Sequence, residues 1–237
     1  MQRRRERIRA ATAQEIKAIA RRHMADHGAA ELSLRAIARD MGMTAGALYS
    51  YYDTRDDLIT ALIADGYGSL AEALEGARDS RPADDHAGRL LAAGHAYRSW
   101  AIAHPQEFQL IFGDPIRGYR APEGGPTEAA ARRAGAVLVE LVAAAWPRIR
   151  AAVPAGDHHW SDFDAGYSAW VREAFPGLPP AAVALHLRVW GRVHGLVALE
   201  VYGHLRPLLA DPAKLYHAEL LDLLGSLGLP PPADPEG

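Results

Sequence analysis

The segment from Thr44 to Tyr51 carries side chains suited to contacts with DNA. Small residues stand at its start, and a backbone with small side chains can approach the floor of the major groove. The candidate contacts are Thr44, Ala45, Gly46, Tyr49, Ser50 and Tyr51. For the two tyrosines, packing inside the domain is the alternative role. The segment has no Arg, Asn or Gln, so specificity would depend on backbone fit, methyl contacts and a basic arm.

Two short helices joined by a glycine turn are predicted to position this segment. Ser33 can cap the first helix, because its hydroxyl can accept a backbone N–H that has no partner at a helix start. The next two turns carry one apolar stripe: Leu34, Ile37, Ala38 and Met41. Their spacing of i, i+3, i+4 and i+7 indicates a helix with one buried face. Gly42 follows directly, where a left-handed helix end costs glycine least.

Two further caps mark the helices that follow the turn. Thr44 can cap a second short helix, Ala45 to about Tyr51. Thr54 with Asp57 resembles a capping box at the start of a third helix, with Asp in place of the usual Glu. A pair of short helices on a minimal turn, with small and polar residues on the outer face of the second, is typical of a DNA-reading helix-turn-helix.

This region resembles the TetR family of transcriptional regulators. The matching residues are Leu34, Ile37, Ala38, Gly42, Thr44, Gly46, Ala47, Leu48, Tyr49, Tyr52, Arg55, Leu58 and Ile59. The family's first helix and the turn after it are matched by Ile8, Ile16, Ala20 and Gly28. Together the matches span about a quarter of the chain. The resemblance implies an all-α fold in which three N-terminal helices bind DNA and a larger C-terminal helical domain binds ligands and dimerises.

Several basic and polar residues are candidates for contacts with DNA phosphates. Arg55 matches the family's phosphate-contacting basic residue, and Tyr51 stands where the family often has a histidine with a phosphate role. Ser33 and Arg35, at the start of the first short helix, are further candidates. So are the arginines between Arg3 and Arg9, which could contact the DNA backbone as an arm.

The charge of the chain is distributed unevenly. Met1 to Leu58 contains eleven Arg and Lys against eight Asp and Glu, a net charge of +3, whereas the whole chain carries −3. Phosphate neutralisation dominates DNA affinity, so a basic head on an acidic body indicates that the head meets the nucleic acid. The alternative is that the arginine-rich start is only a solvated terminus.

Composition excludes several other kinds of protein. The chain has no cysteine, which rules out disulfides, thiolate zinc sites and thiol redox chemistry. No uncharged run of about twenty apolar residues is present, so no membrane partner is expected. The N-terminus lacks the apolar core of a signal peptide, and we therefore expect a cytoplasmic protein.

Catalysis and metal binding have no support in the sequence. Neither a GxxxxGK phosphate loop nor GxGxxG or GxSxG occurs, so we expect no enzyme and no cofactor. Eleven histidines are present, but His158 and His159 are adjacent and would not face one way on a helix. We predict no metal site.

Breakers and periodicity divide the chain into a small head and a larger body. We predict a DNA-binding domain at residues 1–55, a linking helix at about 56–77, a ligand-binding and dimerisation domain at 78–228 and a disordered tail at 229–237. The segment from Gly113 to Pro126 is rich in glycine and proline and must be a loop. It could form a lid over a ligand pocket.

Aromatic residues are frequent in the predicted body. An aromatic cavity with a few polar groups is the usual form of a small-molecule site, and it would suit an apolar or aromatic effector. The candidate ligand contacts are Tyr97, Trp100, Phe108, Phe112, Trp146, Trp170, Trp190 and His194. Polar residues expected near them include His95, Arg98 and Glu200. Simple core filling is the alternative role for each aromatic residue.

The last two predicted helices are the candidate dimer interface. Apolar residues occur all round the helix from Ala181 to about Leu205, which suggests burial on more than one side. Gly191 and Gly195 would leave a flat face for close approach of a second helix. The segment WGRVHGLVALEVYGHL and the loop FGDPIRGYRAP also resemble a TetR subgroup with a Trp-His-Gly signature.

These observations favour a homodimeric repressor that binds a palindromic double-stranded operator and responds to a small molecule. The linking helix would carry the change from the ligand to the DNA-binding head. The alternative is a DNA-binding or scaffolding protein of the same fold that senses no small molecule, and it predicts a filled core.

Overall fold

The computed structural model describes residues 2–152 and 156–230, and its regular structure there is entirely helical. The all-α prediction is thereby confirmed. The helices are α1 Gln2–His27, α2 Leu34–Asp40, α3 Ala45–Tyr49, α4 Arg55–Asp79, α5 His86–Ala103, α6 Pro105–Phe112, α7 Pro126–Ile149, α8 Ala165–Ala174, α9 Pro180–Val201 and α10 Pro212–Ser226. Two short 3-10 helices occupy Ala29–Glu31 and Trp160–Asp162.

The chain divides into two compact units. The first unit consists of the described residues of Met1–Ser69 and His104–Arg132, and the second of those of Leu70–Ala103 and Arg133–Gly237. Helices α4 and α7 each contribute to both units. The grouping differs from the division expected from the sequence, because residues 104–132 join the N-terminal helices. The predicted functional domains, 1–55 and 78–228, stay a prediction.

The first unit has its own apolar core. Its buried members are Ile16, Ile19, Ala20, Met24, Leu32, Leu34, Ile37, Ala38, Leu48, Leu58, Ile59 and Leu62. The predicted stripe on α2 is confirmed, since three of its four residues are buried and Met41 packs partly against them. Ile8 precedes Ile16 on α1 at a helical spacing that predicts a place in the same core, and this prediction is wrong. This side chain is 56% exposed, because the first turns of α1 extend beyond the core and burial on this helix begins only at Ile16.

The core of the second unit is formed by α5, α7, α8, α9 and α10. Its largest contribution comes from α7 and α9, which supply buried valines, leucines and alanines. The sequence predicts a disordered tail that starts at Leu229, but this residue is only 5% exposed. Gly228 has φ +70° after α10, and Leu229 N then donates to Leu224 O at 3.0 Å. This left-handed helix end turns Leu229 back onto the core. Residues 231–237 of the predicted tail lie outside the described residues.

Candidate nucleic-acid interface

Helix α3 has one buried face and one exposed face. Leu48 is fully buried and fixes the helix on the core of the first unit. Thr44 Oγ1 accepts from Ala47 N at 3.2 Å, and Gly42 has φ +64°, so the predicted cap and the predicted turn are both confirmed. The predicted contacts on the opposite face are exposed: Thr44, Ala45, Gly46, Tyr49 and Ser50. The structure brings these five residues together on one surface.

Helix α2 is positioned by its own cap. Ser33 Oγ accepts from Ala36 N at 3.4 Å, as the sequence predicts. This bond satisfies one of the free N–H groups at the helix start. Arg35 is exposed on the first turn. Both residues therefore lie at the N-terminal end of α2, where a partial positive charge favours an anion such as phosphate.

Tyr51 contacts Arg9 of α1. The central carbon of the Arg9 guanidinium lies 4.7 Å from the centroid of the Tyr51 ring, and Arg9 Nη2 donates to Ser50 O at 2.6 Å. Tyr51 also packs partly against the core of the first unit. The structure thus gives Tyr51 a packing partner, and its contact with DNA stays a prediction.

Arg55 forms hydrogen bonds within the first unit. Its Nε donates to Leu32 O at 3.1 Å, and its Nη2 donates to Ala29 O at 2.9 Å and to Ala30 O at 3.0 Å. The guanidinium therefore holds the turn between α1 and α2 against the start of α4. Only Nη1, which is 3.4 Å from Asp56 Oδ1, remains for the phosphate contact predicted from the family resemblance. That contact stays a prediction, and the sequence did not reveal the structural role.

The start of α4 has the predicted capping box. Thr54 N donates to Asp57 Oδ2 at 2.9 Å, and Asp57 N donates to Thr54 Oγ1 at 3.1 Å. The two residues thereby satisfy each other's backbone N–H groups. This reciprocal pair fixes the point at which α4 begins, only a few residues after α3.

A cluster of ion pairs connects α1, α4 and α6 inside the first unit. Lys17 Nζ lies 2.5 Å from Asp65 Oδ2, and Arg21 Nε lies 2.8 Å from Glu107 Oε1. Lys17 is only 7% exposed. Removing one partner of such a pair leaves a poorly solvated charge, which is costly. No local pattern in the sequence indicates this cluster, because its acidic partners come from distant parts of the chain.

The loop between α6 and α7 packs on the first unit. Ile116 and Tyr119 lie against its apolar core, and Tyr119 Oη is 3.0 Å from Thr60 Oγ1. Thr60 is 8% exposed, so this hydroxyl pair is largely shielded from water. The loop predicted from the sequence is therefore present, and its observed contacts are with the N-terminal helices. Its role as a lid over a ligand stays a prediction.

The candidate ligand contacts are distributed over both units. Phe108 and Phe112 belong to the first unit, where Phe108 is fully buried and the Phe112 ring centroid lies 6.0 Å from that of Tyr67. The other six belong to the second unit: Tyr97, Trp100, Trp146, Trp170, Trp190 and His194. Their role in ligand binding stays a prediction.

A polar group lies among the aromatic residues of the second unit. Tyr97 Oη is 2.7 Å from His194 Nδ1, and the rings of His194 and Trp190 have centroids 5.4 Å apart. Burial lowers the pKa of His194, which favours the neutral ring. Trp100 is 4% exposed on the same helix as Tyr97. An uncharged imidazole beside aromatic rings could orient an apolar ligand by one hydrogen bond.

The remaining candidates in this unit pack on its core. Trp146 and Trp170 both lie against the apolar cluster, and the Trp170 ring is 5.7 Å from that of Tyr167. Arg98 forms a two-pronged ion pair with Glu200, with N–O distances of 2.7 and 2.5 Å. This pair ties α5 to α9. His95 Nε2 lies 3.1 Å from His217 Nδ1 of α10.

Helix α9 leaves an apolar stripe exposed. Four large side chains are each about 40% exposed: Leu187, Trp190 and Leu199 on the helix, and Tyr202 directly after its last residue. Gly191 and Gly195 are exposed between them. At about 3.6 residues per turn these positions cover roughly half of the helix circumference. Leu187, Gly191, Gly195 and Tyr202 lie near the middle of this face, and Trp190 and Leu199 lie at its two edges. Leu215 of α10 is also 40% exposed.

Residues 2–152 and 156–230 contain neither a membrane-spanning helix nor a cluster of metal ligands. No helix there is both long and apolar enough to cross a membrane. No group of three or more His, Asp or Glu side chains is arranged there to hold a metal ion.

Family models match both ends of the chain. Residues 16–62 match the model described as bacterial regulatory proteins, tetR family. Residues 90–223 match the model described as a tetracyclin repressor-like C-terminal domain. These two matches cover the helix-turn-helix and most of the second unit.

Similar proteins are found among both curated sequences and solved structures. The HTH-type transcriptional regulators Rv1816 of Mycobacterium tuberculosis and Mb1846 of Mycobacterium bovis are each 34% identical over 213 residues, or 86% of this chain and 87% of the relative. The crystal structure of regulatory protein SCO4313 aligns with a TM-score of 0.72 at 38% identity, over 93% of this chain and 98% of that chain. PfmR from Thermus thermophilus, a TetR family transcriptional regulator, aligns with a TM-score of 0.57 over 90% and 97% of the chains. At 15% identity, PfmR supports the fold alone.

Proposed function

Because the chain belongs to the TetR family of bacterial transcriptional regulators, we propose that it is a repressor that binds a palindromic operator as a homodimer. A small molecule releases it from the operator. The observation that carries this proposal is the exposed surface of α3, which presents Thr44, Ala45, Gly46, Tyr49 and Ser50 together. Its place of action is the cytoplasm, where chromosomal DNA is found.

The DNA contact uses a short helix with small residues at its N-terminal end. Ala45 and Gly46 allow the backbone close to the base edges, and the Ala45 methyl can contact a thymine methyl. Tyr49 reaches a base edge or phosphate through its hydroxyl, while Ser33 and Arg35 contact the DNA backbone from α2. The arginines at the exposed start of α1 add phosphate contacts, and these make the affinity depend on salt.

The homodimer forms through the exposed stripe of α9 together with α10. The four large side chains of this stripe are costly to leave in water, and an apolar patch of this kind marks an interaction surface. Gly191 and Gly195 let a second helix approach closely. Two identical heads then read two half-sites whose centres are about 10 base pairs, or a multiple of that, apart.

The effector is an apolar or aromatic small molecule bound by the second unit. Tyr97 and His194 supply the polar pair that orients it, and Trp100 and Trp190 supply aromatic surface. Helix α4 runs without interruption from Arg55 at the head to Asp79 in the second unit, and it transmits the change. The ligand shifts the equilibrium only by its difference in affinity between the DNA-binding and released states.

Footprinting tests the proposal directly. The purified protein is incubated with DNA upstream of its own and neighbouring genes over a series of salt concentrations, with the Tyr49→Ala variant as the matched control. We expect a protected palindrome with wild-type protein, a steep loss of affinity with salt and no protection with the variant. Equal coating of all fragments by both proteins would contradict a sequence-specific regulator.

The operator fragment then serves as the probe for the effector. A compound that is an effector releases the fragment and also raises the melting temperature of the free protein, because it binds the folded state. Operator binding that no compound of a broad apolar and aromatic library affects would favour the alternative without a small-molecule inducer.

A further inference from the structure

A tight turn in the loop between α6 and α7 presents an arginine to solvent. Tyr119 N donates to Ile116 O at 3.1 Å, and Gly118 has φ +78°, the left-handed conformation that a type II turn requires at its third position. The two ends of the turn, Ile116 and Tyr119, pack on the core of the first unit. Arg117, at the second position, is exposed. The turn therefore projects Arg117 away from the core that holds it.

The turn is anchored to the same helix that leads from the DNA-binding head. Tyr119 Oη and Thr60 Oγ1 are 3.0 Å apart, and Thr60 is nearly buried. The apolar core beneath the turn also contains Leu48 of α3. Arg117 and Arg120, three residues apart, thus belong to the same compact unit as the helix-turn-helix.

The loop runs back along α4 toward its N-terminal end. At the end of α6, Tyr67 Oη donates to Ile111 O at 3.4 Å. Eight residues later Tyr119 meets Thr60, which is seven residues earlier on α4. Seven residues are about two helical turns, so Thr60 and Tyr67 share one side of α4 and lie about 10 Å apart along it. Thr60 is about 7.5 Å along the axis from Arg55, where the helix begins beside α3.

The charges of the loop are arranged around the anchor. Arg117 and Arg120 flank Tyr119 and are exposed. Neither has an ion pair within residues 2–152 and 156–230. Asp114 and Glu123, the acidic residues of the loop, lie near its two ends. The loop has no net charge overall, but both charged side chains at its turn are arginines. The turn therefore suits a negatively charged partner.

From this arrangement we infer that the loop between α6 and α7 is a second phosphate-binding element of the head, and that Arg117 and Arg120 contact the DNA backbone beside the half-site read by α3. This inference rests on the proposed function. The contact adds affinity without sequence preference, because phosphates are the same in every site. Tyr119 is a positioning residue that acts through the two arginines.

The salt dependence of DNA binding tests the inference. The variant Arg117→Ala/Arg120→Ala is compared with wild type by fluorescence anisotropy on the operator and on an unrelated duplex. Each lost phosphate contact reduces the slope of log K against log salt by about 0.9, so we expect a decrease of up to about 1.8. Affinity for both duplexes falls together. The control Arg81→Ala/Arg206→Ala removes the same charge from exposed positions of the second unit and keeps the wild-type slope.

The anchor is tested by Tyr119→Phe, which removes only the hydroxyl. It weakens DNA binding when the arginines are present and has no effect in the Arg117→Ala/Arg120→Ala background, since the positioned groups are gone. Thermal unfolding of each variant verifies that the fold persists.

The outcomes separate the two proposals. Wild-type operator binding with an unchanged slope in the double arginine variant overturns the inference and leaves the proposed function intact. A slope that falls equally in the Arg81→Ala/Arg206→Ala control also overturns it, because overall charge then explains the effect. Failure of the wild-type protein to select an operator refutes the proposed function itself, and with it the inference.

Discussion

The guanidinium of Arg9 lies over the ring of Tyr51, with its central carbon 4.7 Å from the ring centroid. The same guanidinium donates to the carbonyl of Ser50 at the end of α3. The carbonyl end of a helix carries partial negative charge, so a cation there is favourable. Arg9 thus joins the exposed part of α1 to the helix that carries the predicted DNA contacts.

A double-mutant cycle measures this contact. Arg9→Ala, Tyr51→Leu and the combined variant are compared by urea unfolding. We expect a coupling of about 0.5–1 kcal/mol in the free energy of unfolding, the range for an exposed cation–π pair. Arg7→Ala is the control, since Arg7 is exposed on the same helix. Additive effects of the two single substitutions would show that the pair contributes nothing.

Tyr49→Ala is expected to remove a DNA contact without disturbing the fold. Tyr49 is 39% exposed, so its loss should change the free energy of unfolding by less than about 1 kcal/mol. Operator affinity should fall at least tenfold, about 1.4 kcal/mol, by anisotropy. Tyr49→Phe tests whether the hydroxyl or the ring makes the contact. Wild-type affinity in Tyr49→Ala would remove Tyr49 from the interface.

Arg55→Ala should lower stability, because it removes three hydrogen bonds to backbone carbonyls. We expect a loss of roughly 1–3 kcal/mol in the free energy of unfolding, reduced by the partial exposure of the site. Arg55→Lys keeps the charge but cannot reproduce the fork, so it should lose most of the same stability. If Arg55→Lys is as stable as wild type and only Arg55→Ala lowers the salt slope of DNA binding, the phosphate role predicted from the sequence is the main one.

Leu199→Arg should disrupt the proposed homodimer. Leu199 lies in the exposed stripe of α9 and is 42% exposed. A charge buried in an apolar interface is costly to desolvate. Sedimentation velocity should show half the wild-type mass. Leu208→Arg is the matched control, because Leu208 is 74% exposed beyond the end of α9. A Leu199→Arg protein that keeps its wild-type mass would place the interface elsewhere.

Stability should decrease in mild acid because of His186. Burial lowers its pKa, so the folded state binds a proton less readily than the unfolded chain. Neutral His186 makes its full contribution to the free energy of unfolding above a pH of about 6.5, the ordinary histidine pKa. This contribution is lost as the pH falls below that value. The neighbouring Tyr167, with its pKa raised to about 12, stays neutral throughout. His186→Gln should show a weaker decrease in melting temperature between pH values of about 7.5 and 5.5, on either side of the ordinary histidine pKa. The same decrease as in wild type would exclude His186 as a contributor.

Local signals in the sequence are sufficient for the elements of the head. The caps at Ser33 and Thr44, the left-handed Gly42 and the capping box of Thr54 with Asp57 all depend on neighbouring residues, and the structure contains each of them. Prediction is weaker where burial depends on other elements. Ile8 has the spacing of a core residue, but its side chain is 56% exposed, because burial on α1 begins only at Ile16.

The sequence by itself determined the helical fold, the helix-turn-helix and the family, because helix periodicity, caps and motif spacing are properties of short segments. The tertiary structure alone decided which side chains meet across long separations. It placed Arg55 on the carbonyls of the preceding turn, paired Lys17 with Asp65, and packed Tyr119 against Thr60. Such contacts depend on how helices pack, and no local pattern specifies the partner of an exposed or half-buried side chain.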